Sequence, residues 1–210
     1  MILPLGFTYS ATYAGIRKTA KNDLALIVSA TAADSAAVFT TNRVQAAPVV
    51  LARKNLAASK GKVRAVLINA GNANCATRTG EKVAADTCRA LAKAIGCPPA
   101  QILPASTGVI GVELDGRLIT AALPAAMKKL GADNFDDAAE AIMTTDLVPK
   151  TAGVEVKVKG GVARLAGFTK GSGMIQPNMA TTLGFVMMDA TVPPAVLKKM
   201  LTRTIARSYN

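Results

Sequence analysis

A threonine that stands first in a chain carries its own base, and the segment KGSGMIQPNMATTLGFVMMDA (170–190) has the residues to present one. A threonine hydroxyl is a weak nucleophile unless a base lies beside it. An N-terminal α-amine, with a pKa of about 7.7–8.0, is partly neutral near pH 7 and can be that base. Creating the amine requires a cut between Ala180 and Thr181, by attack of Thr181 Oγ on the Ala180 carbonyl and hydrolysis of the resulting ester. The small Ala180 side chain leaves that carbonyl accessible. Gly171 and Gly173 give the approach backbone freedom, Pro177 holds it extended, and the apolar run over 183–188 reads as a buried strand. The competing reading is a glycine loop feeding a core strand, because a Thr-Thr pair before a strand favours extended backbone on its own.

Other places could join this chemistry. In STGVIG (106–111), Gly108 would let a main-chain N–H point into a cavity with no side chain in the way, as an oxyanion hole requires; the plain alternative is a turn. Lys170, taken alone, reads as a solvated lysine at a strand end. The polar stretch NAGNAN (69–74) is either a strand-to-helix connection or the rim of a pocket. The chain has no histidine, so Ser-His-Asp and Cys-His catalysis and histidine-ligated metal sites cannot be built from it. Cys75, Cys88 and Cys97 lack C-x-x-C spacing, and an odd count argues against a disulfide framework.

The elements that must position these residues read as an α/β chain. Half of the 210 residues are hydrophobic, enough for one sizeable core. Apolar runs predict strands over 24–28, 36–40, 48–51 and 63–68. Ala84, Cys88, Leu91 and Ile95 fall at helical spacing over 81–95, with Gly96 as the stop and Cys88 packed inward. A second helix is capped by Asp115, turns Leu118, Ile119 and Ala122 inward and breaks near Pro124. A third follows Asp133, with Ala138, Ala139 and Ile142 inward. Val154, Val156 and Val158 alternate with charged residues, Gly160 and Gly161 make a turn, and 162–168 returns, which is a hairpin. A last helix starts at Pro193 and Pro194, with Val196, Leu197, Met200, Leu201, Thr204 and Ile205 on one side.

Charge and hydropathy narrow the classes of function. The apolar runs are interrupted well before the roughly 18–20 residues that a membrane span needs. The first residues have no basic region before their short apolar patch, so no secretory signal is expected and a cytoplasmic location is. A net charge of +12 raises nucleic-acid binding, but the basic residues are scattered and only three tyrosines and five phenylalanines could stack on bases. An acidic small-molecule substrate accounts for the charge as well.

Several stretches together resemble one family. KGSGMIQPNMATTLGF looks very like the cleavage-site motif of the ornithine acetyltransferases, the glutamate N-acetyltransferases of arginine biosynthesis, which cut themselves before the threonine of a Met-Ala-Thr step. Gly6-Phe7, Ala14-Gly15-Ile16, the stretch 23–27, AVFTTNRVQAAPVV (37–50), NAGNAN and STGVIG are also similar to that family. The resemblance covers essentially the whole chain but about the first half of the family's length. It implies two stacked β-sheets flanked by helices, with a 1–180 α-chain portion carrying the oxyanion hole and 181–210 as the start of a β-chain portion.

The resemblance also implies roles. Thr181 would be nucleophile and substrate contact after cleavage between Ala180 and Thr181. Thr107, through its side chain, and Gly108, through its backbone N–H, would stabilise the oxyanion, and Lys170 would contact substrate. The family usually reads Thr-Thr-Asp-Thr where this chain has Leu147 after Asp146, which puts one substrate contact in doubt. The implied reaction moves acetyl from N-acetylornithine to glutamate through an acetyl-threonine, with acetyl-CoA a further co-substrate in some members. It implies no metal and no bound organic cofactor, and an assembly of two α and two β chains in the full-length protein. Residues 1–210 alone are expected to be inactive. The rivals are an N-terminal-nucleophile hydrolase and a non-catalytic basic binding module.

Overall fold

The first six residues of strand β2 (Leu24–Asp34) are buried on both faces, and their alternation shows where the two halves of the core lie. Successive strand residues point to opposite sides. Leu24, Leu26 and Val28 face one cluster, and Ala25 and Ile27 face another. Burial on both sides explains why the sequence there is a nearly continuous apolar run rather than an apolar and polar alternation. The computed structural model describes residues 1–173 and 182–209.

In chain order the remaining elements are β1 (Phe7–Thr12), α1 (Ala47–Ala58), β3 (Lys62–Asn72), α2 (Gly80–Ile95), β4 (Ile102–Val109), α3 (Gly116–Lys128), α4 (Phe135–Ala141), β5 (Lys150–Val158), β6 (Gly161–Lys170), β7 (Leu183–Met188) and α5 (Pro194–Ser208). One sheet has the order β1-β2-β3-β4. Its first two pairings are antiparallel, and β3 pairs parallel with β4 through the crossover that contains α2. The other sheet is the antiparallel β5-β6-β7.

The first cluster packs Leu24, Leu26 and Leu67 against Cys88 and Leu91 of α2 and Ile119 and Leu123 of α3. Each fully buried leucine contributes about 1.5–3 kcal/mol. The second lies between the two sheets and takes in α4: Tyr9, Ile27 and Ile68 meet Phe135, Ala138 and Ile142, with Ala166, Phe168 and Met187 from β6 and β7. Four rings cross it in series. Tyr9 and Phe135, then Phe135 and Phe168, stand edge to face at 5.2 Å, and Phe185 follows at 5.6 Å. The second sheet is therefore tied to the first through aromatic contacts. Among the described residues no helix is long and apolar enough to cross a membrane.

The expected two-sheet α/β class holds, as do α2 with its left-handed cap at Gly96, the Asp115 cap of α3, the β5–β6 hairpin and β7. Burial pushes the Cys88 thiol up to about 12, in keeping with a packing role. Other expectations are corrected. Residues 36–40 form no strand. Pro48 begins no strand but lies in the first turn of α1, where a missing N–H costs no hydrogen bond. Pro124 does not break α3, which continues to Lys128 with the proline on an exposed position. β3 runs on through Asn72, so the first four residues of NAGNAN are strand. The run over 183–188 is only partly buried, with Val186 68% exposed.

Candidate active site

The parallel pairing of β3 with β4 places Asn69 opposite Ser106, Ala70 opposite Thr107 and Gly71 opposite Gly108. Thr107 and Gly108 thus belong to a strand end, and the expected loop begins only after Val109. Gly108 has φ +131°, which side chains rarely adopt. A Cβ there would lie 2.3 Å from the Gly71 carbonyl carbon, 2.5 Å from its oxygen and 2.6 Å from Asn72 N. Only glycine lets the two backbones approach this closely.

Lys170, the last residue of β6, reaches across from the other sheet. Its Nζ donates to Thr107 Oγ1 at 2.8 Å, and the residue is only 5% exposed. Burial pulls the ammonium's pKa below the usual lysine value. The Asp146 carboxylate opposes that pull, and Arg17 and Lys150 add to it.

Asp146 fixes the backbone beside this lysine. One of its carboxylate oxygens accepts from Gly171 N at 2.9 Å and from Lys150 Nζ at 2.5 Å, and its side chain is 1% exposed. Burial pushes this carboxyl up. The hydrogen bonds from Lys150 and from the amides of Gly171 and Thr144 outweigh that, and the group sits below the usual carboxylate range. The charged form is therefore the one the fold holds.

Arg17 connects the two sides. Its Nε donates to Ala70 O, beside Thr107 in the sheet, and its Nη2 donates to Ala141 O at 3.0 Å and to Met143 O. Asp23 shapes the turn that presents Arg17, accepting from the amides of Ala14, Ile16 and Arg17 at 2.6, 2.7 and 2.9 Å. The chain around 141–143 is thereby tied to β3, the neighbour of the strand that carries the oxyanion candidates.

Of the residues singled out in sequence, Thr107, Gly108 and Lys170 are brought together. Ala180 and Thr181 lie outside the described residues. Leu147 is 94% exposed. Asn72 and Asn74 of NAGNAN serve the backbone. Asn72 Nδ2 donates to Val112 O at 3.0 Å, Asn74 N to Asn72 Oδ1 at 2.7 Å, and Asn74 Nδ2 to Gly80 O at 2.9 Å. Asn69 donates to Ser106 Oγ at 2.6 Å. Asn72 and Asn74 thus hold the connection, while Asn69 and Asn74 also line a small cavity with Ser106. Sequence reasoning missed Asp146 and Arg17. The first stood beside Leu147 in the family's Thr-Thr-Asp-Thr stretch, and nothing local distinguished the second.

A hydroxyl and a strand-end glycine beside a buried ammonium form a group that can stabilise a developing oxyanion. Among the described residues no three metal-ligating side chains cluster. The two sheets with their flanking helices define a fold class that other solved proteins share. The fold resembles the l-aminopeptidase d-ala-esterase/amidase of Ochrobactrum anthropi, described as a variant of the Ntn hydrolase fold, with a TM-score of 0.59 at 13% identity over 99% of this chain and 68% of that one.

Within that class the chain belongs to the ArgJ family, whose model matches residues 8–210. It is 48% identical to the arginine biosynthesis bifunctional protein ArgJ of Chlorobaculum tepidum over 99% of this chain and 51% of that protein. It is also 48% identical to the ArgJ protein of Nitratidesulfovibrio vulgaris over 99% of this chain and 53% of the relative. The chain spans about half the length of the curated relatives it matches. Among solved structures, ArgJ of Bacillus halodurans superposes with a TM-score of 0.79 at 36% identity, covering 84% of this chain and 92% of that one. Ornithine acetyltransferase of Mycobacterium tuberculosis, complexed with ornithine, gives 0.73 at 33%, covering 84% and 94%.

Proposed function

We propose that the full-length protein moves an acetyl group from N-acetylornithine to glutamate, after cutting itself between Ala180 and Thr181. The observation that carries this reading is the hydrogen bond between Lys170 and Thr107, which joins two of the expected site residues from different sheets. The pairing of Lys170 with Leu183, two residues along the chain from Thr181, supports it. So does the likeness to an ornithine acetyltransferase that holds ornithine.

In this mechanism the Thr181 amine takes the Oγ proton as Oγ attacks the acetyl carbonyl. Negative charge gathers on the carbonyl oxygen, where the Thr107 hydroxyl and the Gly108 N–H receive it. Collapse releases ornithine, whose amine takes the proton, and leaves acetyl-threonine. The glutamate amine then attacks and the steps run in reverse. Acetyl-CoA is a further donor for the same acetyl-threonine. The active assembly is two α chains ending at Ala180 and two β chains beginning at Thr181.

Two measurements test the proposal on the full-length protein. Intact mass should show two pieces divided before Thr181, and a single uncut chain for Thr181→Ala; cleavage that persists in the variant would assign the cut to an outside protease. Labelled acetyl should pass from N-acetylornithine to glutamate. The fold likeness to an amidase favours a hydrolase as the second reading. Release of free acetate with no labelled acetylglutamate would select it.

A further inference from the structure

We infer that Lys170 is a positioning residue for the oxyanion hole: its ammonium occupies the acceptor side of the Thr107 hydroxyl and so turns that hydroxyl's hydrogen toward the reacting carbonyl oxygen. The inference rests on Thr181 as nucleophile and Thr107 as oxyanion donor, and it gives Lys170 a role in addition to the substrate contact that the resemblance implies.

The argument is one of donors and acceptors. An ammonium has three hydrogens to give and no lone pair, whereas a threonine hydroxyl has one hydrogen and two lone pairs. At 2.8 Å, Nζ must therefore be the donor and Oγ1 the acceptor. The hydroxyl hydrogen cannot point back at Lys170 and is left for another acceptor. An isolated threonine hydroxyl rotates freely about three staggered positions, so the lysine removes the one that points at it and narrows the choice before substrate arrives. A positive donor also polarises the hydroxyl, which strengthens the hydrogen bond it then makes.

Placement supports this role. Lys170 is buried at the end of β6, on a different sheet from Thr107, with little of its surface open to an incoming amino acid. Its direction is fixed from behind, because Asp146 holds the amide of Gly171. The charges around it come from Asp146, Arg17 and Lys150. Arg17 in turn is anchored on Ala70, the register partner of Thr107. Both ends of the Lys170–Thr107 contact are thus braced by the same set of polar links.

The test uses an acyl donor with no amino-acid group. In p-nitrophenyl acetate, attack by Thr181 Oγ forms the ester bond, p-nitrophenolate leaves with the electron pair, and the Oγ proton passes to the Thr181 amine. The burst of p-nitrophenolate from the full-length, cleaved enzyme measures this acylation alone. Lys170→Met should slow the burst about tenfold to a hundredfold, Thr107→Ala about a hundredfold or more, and the double variant no further than Thr107→Ala. Thermal melting checks each variant's fold. Lys170→Gln, which keeps an N–H donor, should retain more of the burst than Lys170→Met. A wild-type burst in Lys170→Met, with only the KM for amino-acid substrates raised, would overturn the inference and leave Lys170 with substrate binding alone. A double variant slowed by the product of the two single effects would overturn it too. The ester needs neither ornithine nor glutamate, so a protein that fails label exchange yet shows these bursts would reject the transferase reading alone.

Discussion

The four-stranded sheet is packed on both faces, and the three-stranded sheet on one. In the first, β2 and β3 are covered by α2 and α3 on one side and by α4 and the second sheet on the other. In the second, every residue of β5 from Ala152 onward is exposed, β7 buries only Met187, and the neighbouring helix α5 has no buried residue. β6 spans the difference, beginning exposed at Gly161 and ending buried at Lys170. The oxyanion candidates therefore sit in a frame that tolerates little change. The strand that supplies the lysine is held chiefly at its site end.

The sharpest way to break this contrast is at the glycines. Gly108→Ala places a Cβ inside the backbone of Gly71 and should cost on the order of 4 kcal/mol by urea unfolding, with turnover lost. Gly161→Ala, in open space at the β5–β6 turn, should stay within about 0.5 kcal/mol. Similar costs for the two would end the comparison.

Thr107→Ala comes next, with an effect on rate rather than fold. Turnover of the full-length protein should fall about 100- to 1000-fold while the melting temperature moves little. Unchanged turnover would leave this strand end a purely structural role. In the core, Leu26→Ala should cost about 2–5 kcal/mol, against no more than about 0.5 kcal/mol for Val156→Ala on exposed β5. Repeating the pair in the full-length protein sharpens the contrast, since a larger cost for Val156→Ala there would show that β5 gains a cover.

The smallest effect concerns Asp146. Its carboxyl is held below the ordinary range, so the stability it contributes is present above the unfolded pKa of about 3.9 and is lost as pH falls through the lowered folded value. Asp146→Asn should lower the melting temperature at pH 7 by about 2–4 °C, near 1 kcal/mol. The gap between variant and wild type should close in acid, below the ordinary carboxylate pKa. A gap that acid leaves unchanged would show that the neutral side chain makes the same contacts.

Legibility in sequence followed how locally each element is determined. The β5–β6 hairpin was readable because valine and charge alternate on either side of two glycines, and α2 because its apolar spacing ends at a glycine cap. α1 was misread because Val49, Val50 and Leu51 look like strand, and only its packing between α2 and β4 makes it helix. β1 was missed because its small polar residues carry no pattern, yet Tyr9 is fully buried through contacts with α4. At the site, motif residues announced Thr107, Gly108 and Lys170. Their bracing by Arg17 and Asp146 depends on tertiary neighbours 124 and 25 residues away in the chain, which no local signal encodes.

The register of β6 with β7, from Leu165 with Met188 to Lys170 with Leu183, lies across the expected cut. A break before Thr181 would sever the covalent link between two strands that remain hydrogen-bonded neighbours. Before the cut, the chain would refold in a first-order process, independent of protein concentration. Afterwards the strands would belong to separate molecules. Recovery from unfolding would become second order, slower on dilution, and the maturation step that creates the nucleophile would also make the folded state depend on how much protein is present.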